Sequence, residues 1–216
     1  MVDRDPVRGA EVAGGIGGRF VPADVSQPQD WDRVLDAVTG WWGAVRFAHL
    51  NAGVPTGPYP FALEDVTIEQ YRRILGVNLD GALLGVRAVV PSMVAGGGGS
   101  IVVTASLAGL VAFADDPYYA ATKHGLVGFV RSAAPQLAAK GVRINVVCPS
   151  ATDTAILDAE RRALIAREGR PIQPADEVGA AVVDLLRDGG TGEAWTTRVG
   201  RPARRWRFAD EAAPTT

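Results

Sequence analysis

The sequence is poor in the residues that crosslink chains, ligate metals or grip polyanions. One cysteine, Cys148, occurs in 216 residues, so no disulfide can form within the chain and folding does not call for an oxidising compartment. That cysteine and two histidines, His49 and His124, leave no cluster able to hold a structural metal. Lysine is nearly absent; Lys123 and Lys140 are the only two, and the remaining basic residues are arginine. A net charge of −2 and a pI near 5.7 lack the positive surplus of a duplex-binding domain, which argues against nucleic acid as a partner. No uninterrupted apolar run approaches roughly 18 residues, so no segment reads as a membrane span. The opening Met-Val-Asp-Arg-Asp-Pro has no apolar stretch of the secretory kind, and a cytoplasmic protein is the expectation.

What is present suits one α/β domain, since 47% of residues are hydrophobic and the length is that of a single large core. Residues 19–25 (RFVPADV) read as a short strand. Residues 29–42 follow with Trp31, Val34, Leu35 and Val38 at helical spacing. Residues 45–50 form a second strand running into Asn51-Ala52-Gly53, and Pro55, Gly57, Pro58 and Pro60 then mark a loop. Thr67 and Gln70 resemble a capping box, opening a long helix to about Met93, with a flexible glycine connection at 96–99. Residues 100–105 (SIVVTA) are a β-branched strand, 117–139 a helix, 142–148 a strand, 175–187 an amphipathic helix and 194–199 a last strand. From Arg201 to Thr216 the chain reads as a polar, loose tail, leaving residues 1–200 as the domain. The RPARRWR stretch within it reads as solvated rather than as a basic binding surface.

Strands alternating with helices imply right-handed crossovers and a doubly wound parallel sheet with helices on both faces. Ligands of such sheets bind beyond the carboxyl ends of the strands. Asp24, Asn51–Gly53, Thr104–Ser106 and residues 148–154 lie at those ends and should converge on one cleft. In Tyr119-Ala-Ala-Thr-Lys123 a spacing of four puts a phenol and an ammonium on one helix face. A cation about 4 Å away, at an effective dielectric of 20, would lower the phenol pKa from about 10 by roughly three units, toward neutrality. A tyrosine poised there moves protons in either direction. An isolated pair of this kind is more commonly just a solvated helix face. Ser106 ends a strand thirteen residues earlier, where its hydroxyl either meets a substrate oxygen beside the phenol or caps its own turn. Asn78 interrupts the long apolar helix and is either exposed or buried against a partner.

In this order, Asn51-Ala52-Gly53, Asn78, Ser106, Tyr119-x-x-x-Lys123 and Pro149 resemble the motifs of the short-chain dehydrogenases/reductases, over roughly residues 1–190. The resemblance implies a Rossmann-like fold and NAD or NADP as cofactor. It implies Tyr119 as general acid/base, Lys123 as the residue that lowers its pKa and holds the nicotinamide ribose, and Ser106 as the residue that orients the carbonyl. Asn78 would support a water linking Lys123 to solvent. Asp24 and Val25 match positions that hold adenine, Asn51, Ala52 and Gly53 the segment against the adenine ribose, and Pro149 and Thr154 the nicotinamide side. Ser150 replaces the glycine usual after that proline. The family's helices corresponding to residues 63–93 and 117–139 commonly pair, implying a homodimer or homotetramer.

The family begins with a strand, a TGxxxGxG turn and a helix, and these three are missing from the sequence. Residues 14–18 (GGIGG) precede a strand instead of following one, and read as a loop and not a phosphate turn. Met1–Arg4 resembles the end of the family's second strand, where Asp3 would accept from the adenosine ribose and favour NAD; a terminal acid is also commonly just solvated. Without the first strand, residues 19–25 would have no continuous sheet to join. Two functions follow: an oxidoreductase on alcohols or ketones whose full-length form carries the missing start, or a truncated, non-catalytic remnant acting by association. Residues 155–170 match a substrate-covering segment. Ile156, Leu157, Leu164 and Ile165 suggest an apolar lid, with Phe113 and Tyr118 at the pocket and a mostly apolar substrate.

Overall fold

β-Branched runs buried on both faces build the centre of the molecule. In a computed structural model, which describes residues 1–209, strands β3 (Phe47–Leu50), β4 (Gly99–Thr104), β5 (Val142–Pro149), β6 (Ala194–Arg198) and β7 (Arg201–Arg205) form one five-stranded sheet in that order. The first four are parallel and β7 is an antiparallel edge. Ile101 pairs with Ile144 and Val103 with Val146; all four are fully buried, as near-continuous apolar strands of a doubly covered parallel sheet should be.

Helices α4 (Gly81–Ala95) and α5 (Pro117–Ala138) supply Val86, Val89, Met93, Leu126 and Val130 to the core on one face. Helix α7 (Ala175–Asp188) places Val178, Val182 and Leu185 against Val102 and Val147 on the other. Arg143 ties α7 to the sheet by donating to the carbonyls of Leu186 (2.7 Å), Arg187 (3.0 Å) and Gly189, groups the helix end leaves without internal partners.

A second, two-stranded sheet pairs β1 (Val2–Asp3) with β2 (Val21–Pro22) in parallel. It carries a small core of Ala23, Trp31 and Val34, the last two from helix α2 (Pro28–Trp42). Among the described residues β2 pairs only with β1, and the side of β3 away from β4 has no strand partner.

Three expectations need correction. Residues 6–15 are a helix, α1 (Pro6–Gly15), which the sequence reading lacked. Gly14 and Gly15 are its last turn, so only residues 16–18 of the expected loop are loop, with Gly17 at φ 66°. The tail expected to be loose from residue 201 instead forms β7, because Trp195 and Thr196 offer it an open strand edge and Trp206 and Phe208 pack on the core; residues 210–216 lie outside the described part. The long helix is continuous from Ile68 to Ala95, as α3 (Ile68–Leu75), one π turn (Gly76–Asp80) and α4. Its length and composition alone would permit a membrane span, but Ile74, Val86, Val89 and Met93 are buried within the fold.

Candidate active site

The site begins with a buried carboxylate. Asp116 is fully buried and caps α5, its Oδ1 accepting from the Tyr119 amide (2.9 Å) and from Thr56 Oγ1 (2.6 Å). Its Oδ2 accepts from the Thr56 amide (3.2 Å) and the Tyr59 hydroxyl (2.7 Å). With Pro117 at the first helical position, this cap fixes where the helix starts and therefore where Tyr119 and Lys123, one and two turns in, must point.

Ser106 follows β4 and caps the short turn Leu107–Gly109, its Oγ accepting from the Ala108 amide (3.2 Å), and its hydroxyl is near enough to the Tyr119 phenol to oppose the rise of that phenol's pKa. A Cβ at Gly109 would lie 2.5 Å from the Lys123 carbonyl oxygen, so only glycine lets this turn approach α5 closely enough to set serine beside tyrosine. Of the two functions considered for Ser106, the capping of its own turn is thus present.

Lys123 is buried. Its Nζ donates to the Thr104 carbonyl (3.0 Å) and lies 5.4 Å from the centroid of the Tyr119 ring. Across from it, a Cβ placed on Gly53 would be 3.5 Å from that Nζ and 3.6 Å from Asn78 Oδ1. Asn78 is fully buried in the π turn, which settles the alternatives for it. Its Oδ1 accepts from the Val54 amide (2.7 Å) and its Nδ2 donates to the Val54 carbonyl (2.9 Å), so it holds the loop after β3 against the lysine.

Burial pushes the Tyr119 phenol up to about 12, with the Ser106 hydrogen bond pulling the other way and Asp116 adding to the rise. The expected lowering of the phenol by Lys123 is absent from this arrangement. The ammonium lies over the ring and is bound to a carbonyl, and burial brings its own pKa down to about 8. Desolvation outweighs the Coulomb attraction, leaving a neutral phenol at neutral pH. Cys148 is fully buried at the end of β5; burial raises its thiol to about 12, with the Ser106 backbone and Lys123 pulling the other way, so it stays neutral too.

The structure therefore brings together Gly53, Asn78, Ser106, Tyr119 and Lys123. The remaining sequence candidates spread along the same edge of the strands. Asp3 is exposed at the end of β1, accepting from the Asp5 amide (2.9 Å). Asp24 accepts from the Ser26 amide (2.9 Å) and hydroxyl (2.7 Å), and Val25 packs against Gly81. Asn51 and Ala52 are exposed beyond β3, Pro149 is buried at the end of β5, and the exposed Thr154 gives its carbonyl to Arg162 (2.9 Å). Phe113 meets the Tyr119 ring edge-on at 6.2 Å, whereas Tyr118 turns away toward Tyr71 and the Leu63 carbonyl.

For a dinucleotide, these groups fit the two ends better than the middle: acids and open backbone stand at β1, β2 and β3, and a buried cation with two hydroxyls at β4 and α5. Among the described residues no glycine turn follows a strand and opens a helix, because β1 passes into α1 through Asp5, whose carboxylate takes the Val7 and Arg8 amides itself.

Sequence reasoning missed Asp116, Thr56, Tyr59 and Arg161. The Asp116-Pro117 pair before a helix was an available start signal. Nothing local marked the other three.

Known proteins bear on this geometry. A family model described as enoyl-(acyl carrier protein) reductase matches residues 2–194. The chain belongs to the short-chain dehydrogenase/reductase family. Cyclohexanol dehydrogenase of Acinetobacter sp. (strain SE19) is 36% identical over 181 residues, 80% of this chain and 70% of that protein. A 3-alpha-(or 20-beta)-hydroxysteroid dehydrogenase of Mycobacterium tuberculosis (strain ATCC 25618 / H37Rv) is 34% identical over 171 residues, 79% of this chain and 64% of that one. This short-chain dehydrogenase/reductase thus spans roughly two thirds of the length of such relatives. The solved structure of a 3-ketoacyl-(acyl-carrier-protein) reductase from Brucella melitensis, complexed with NADH, matches with a TM-score of 0.81 at 30% identity, over 93% of this chain and 86% of that one.

Proposed function

We propose that the chain interconverts a secondary alcohol and its ketone with a nicotinamide cofactor, Tyr119 handling the proton. One observation carries the reading: the Tyr119 ring lies 5.4 Å from the Nζ of the buried Lys123, on the helix that packs against the turn headed by Ser106. A carbonyl oxygen received by Ser106 and Tyr119 together accepts the phenolic proton as charge develops on it, and the reverse step returns the proton to the tyrosinate. Kept protonated at neutral pH by burial, the phenol is in the form that can donate to a carbonyl oxygen. The cofactor, when bound, supplies the hydride. Lys123, Tyr119, Pro149 and Thr154 would hold its nicotinamide end, and Asp3, Asp24, Val25, Asn51, Ala52 and Gly53 its adenosine end. Asp3 at the end of β1 favours NAD over NADP, since an acid there accepts from ribose hydroxyls and repels a ribose phosphate. Asn78 keeps the loop at residues 53–55 in place and, through water, connects Lys123 to solvent.

Relatives named for cyclohexanol and hydroxysteroids support a secondary alcohol or ketone as substrate class. Pairing of α4 and α5 with a second copy is the proposed assembly. A second reading has one observation in its favour: the sheet, divided among the described residues between β2 and β3, suits a non-catalytic remnant. Titrating the chain with NADH and NADPH, followed by nicotinamide fluorescence, separates the two. Saturable binding with turnover of a ketone supports the enzyme, while no binding at millimolar cofactor leaves the remnant.

A further inference from the structure

The segment expected to be an apolar lid buries a cation. Helix α6 (Ala159–Arg167) starts at Asp158, which accepts from the Arg161 amide (2.7 Å), and this cap turns the Arg161 side chain inward, where the residue is 5% exposed. The guanidinium carbon lies 4.4 Å from the centroid of the Tyr59 ring and 4.9 Å from that of Phe113. Nη2 pairs with Asp115 at 3.0 Å, whereas the buried Nη1 has no partner. Phe113 is the ring that meets Tyr119, and Tyr59 bonds the carboxylate that caps the Tyr119 helix. The free donor is therefore one aromatic ring removed from the reacting phenol.

An unpartnered, buried, charged N–H is costly, and a guanidinium has a fixed fork suited to a carboxylate. Asp115 is a partly exposed carboxylate and occupies only the Nη2 side. On the proposed alcohol/ketone chemistry, we infer that Arg161 is a specificity-determining residue that receives a carboxylate carried by the substrate, making a secondary hydroxy acid or keto acid the preferred class. Tyr59 and Phe113 each bring a ring within 5 Å of the guanidinium carbon, and the Nη1 donor remains for the incoming oxygen. The apolar residues of the same segment, Ile156, Leu157 and Leu164, are half-buried and suit the carbon skeleton between the two ends.

The test compares hydroxy acids of graded chain length with matched secondary alcohols lacking the carboxylate, by turnover and by calorimetric binding, in the unaltered chain, Arg161→Met, Arg161→Lys and the control Arg167→Met. The unaltered chain should prefer one acid over its neutral partner. That ratio should fall roughly 10- to 100-fold in Arg161→Met, the worth of a charge-assisted hydrogen bond. It should fall less in Arg161→Lys, which keeps charge without the fork, and stay unchanged in Arg167→Met. If Arg161→Met does not fold, the lysine variant and the unaltered chain's own preference decide the matter. Turnover of acids and neutral alcohols with equal efficiency overturns the role of Arg161 and leaves the oxidoreductase reading standing. If nothing is turned over, that reading fails, and calorimetry still decides for Arg161: acid binding weakened in Arg161→Met supports it, equal binding overturns it.

Discussion

The five-stranded and two-stranded sheets use the same strand–helix–strand grammar, yet they do different things with it. In the larger sheet, β4 and β5 are buried along almost their whole length, and the groups proposed to move the proton stand just after β4 or on the helix packed against the sheet. The smaller sheet has strands of two residues and three buried apolar residues, and leaves Val7 and Val12 of α1 and Ile16 just after it exposed. Across the divide, Phe47 of β3 is exposed as well. Catalytic groups need positions set by close packing, and only the larger sheet offers that. The acids proposed to hold adenosine, Asp3 and Asp24, sit in the looser region, where a ligand can add the contacts that the protein lacks.

The largest effect should come from breaking the catalytic side of this comparison. Tyr119→Phe removes the proton donor and keeps the ring; turnover should fall about 10²- to 10⁴-fold while NADH binding, read by fluorescence, changes little. Full turnover in this variant would reject the mechanism, and lost cofactor binding would show that the two regions are not separable in function. Packing differs in the same sense. Leu126→Ala, in the main core, should cost about 2–5 kcal/mol in a urea melt. Val34→Ala, in the small core, should cost about 1.6 kcal/mol at 0.8 kcal/mol per buried carbon. Equal costs per carbon removed would mean that the small core is as tightly packed as the large one.

Legibility in the sequence follows the same line. SIVVTA and VRINVVC announce buried parallel strands because β-branched runs have few other uses, and Tyr119-x-x-x-Lys123 announces its shared face because helical spacing is rigid. α1 escaped because Gly9, Gly14 and Gly15 depress helix propensity, and Phe20 packs where a Cβ of Gly9 would be, a reason only tertiary structure supplies. β7 escaped because RPARR has no strand pattern and is held by the open edge of β6. Arg161 escaped since an arginine on a polar helix is ordinarily solvated, and nothing local says that Tyr59 and Phe113 wait beneath it. The direction of the Tyr119 shift was misjudged for a related reason: spacing reveals that a cation is near, but not that both groups are desolvated.

Smaller effects sharpen the comparison at the seam. Asn78→Ala leaves the Val54 amide and carbonyl without their side-chain partners, at a cost of about 1–3 kcal/mol, and the Val54 amide should exchange faster with solvent. Unchanged exchange there would remove Asn78 from the role of loop holder.

The last effect is a pH dependence. Lys123 titrates at about 8 in the folded chain against an ordinary value of 10.5, so between those values the unfolded chain holds the extra proton. Stability should therefore rise with pH across that window, the cost of burying the ammonium being fully present below pH 8 and relieved above it. Tyr119, raised from 10.0 to about 12, acts in the opposite sense and lowers stability only above pH 10. Chemical melts of the unaltered chain and Lys123→Met at intervals from pH 7 to 10 should show the rise only in the former. A rise of equal size in both would mean that the buried lysine is not its source, and that water reaches the ammonium in the folded protein.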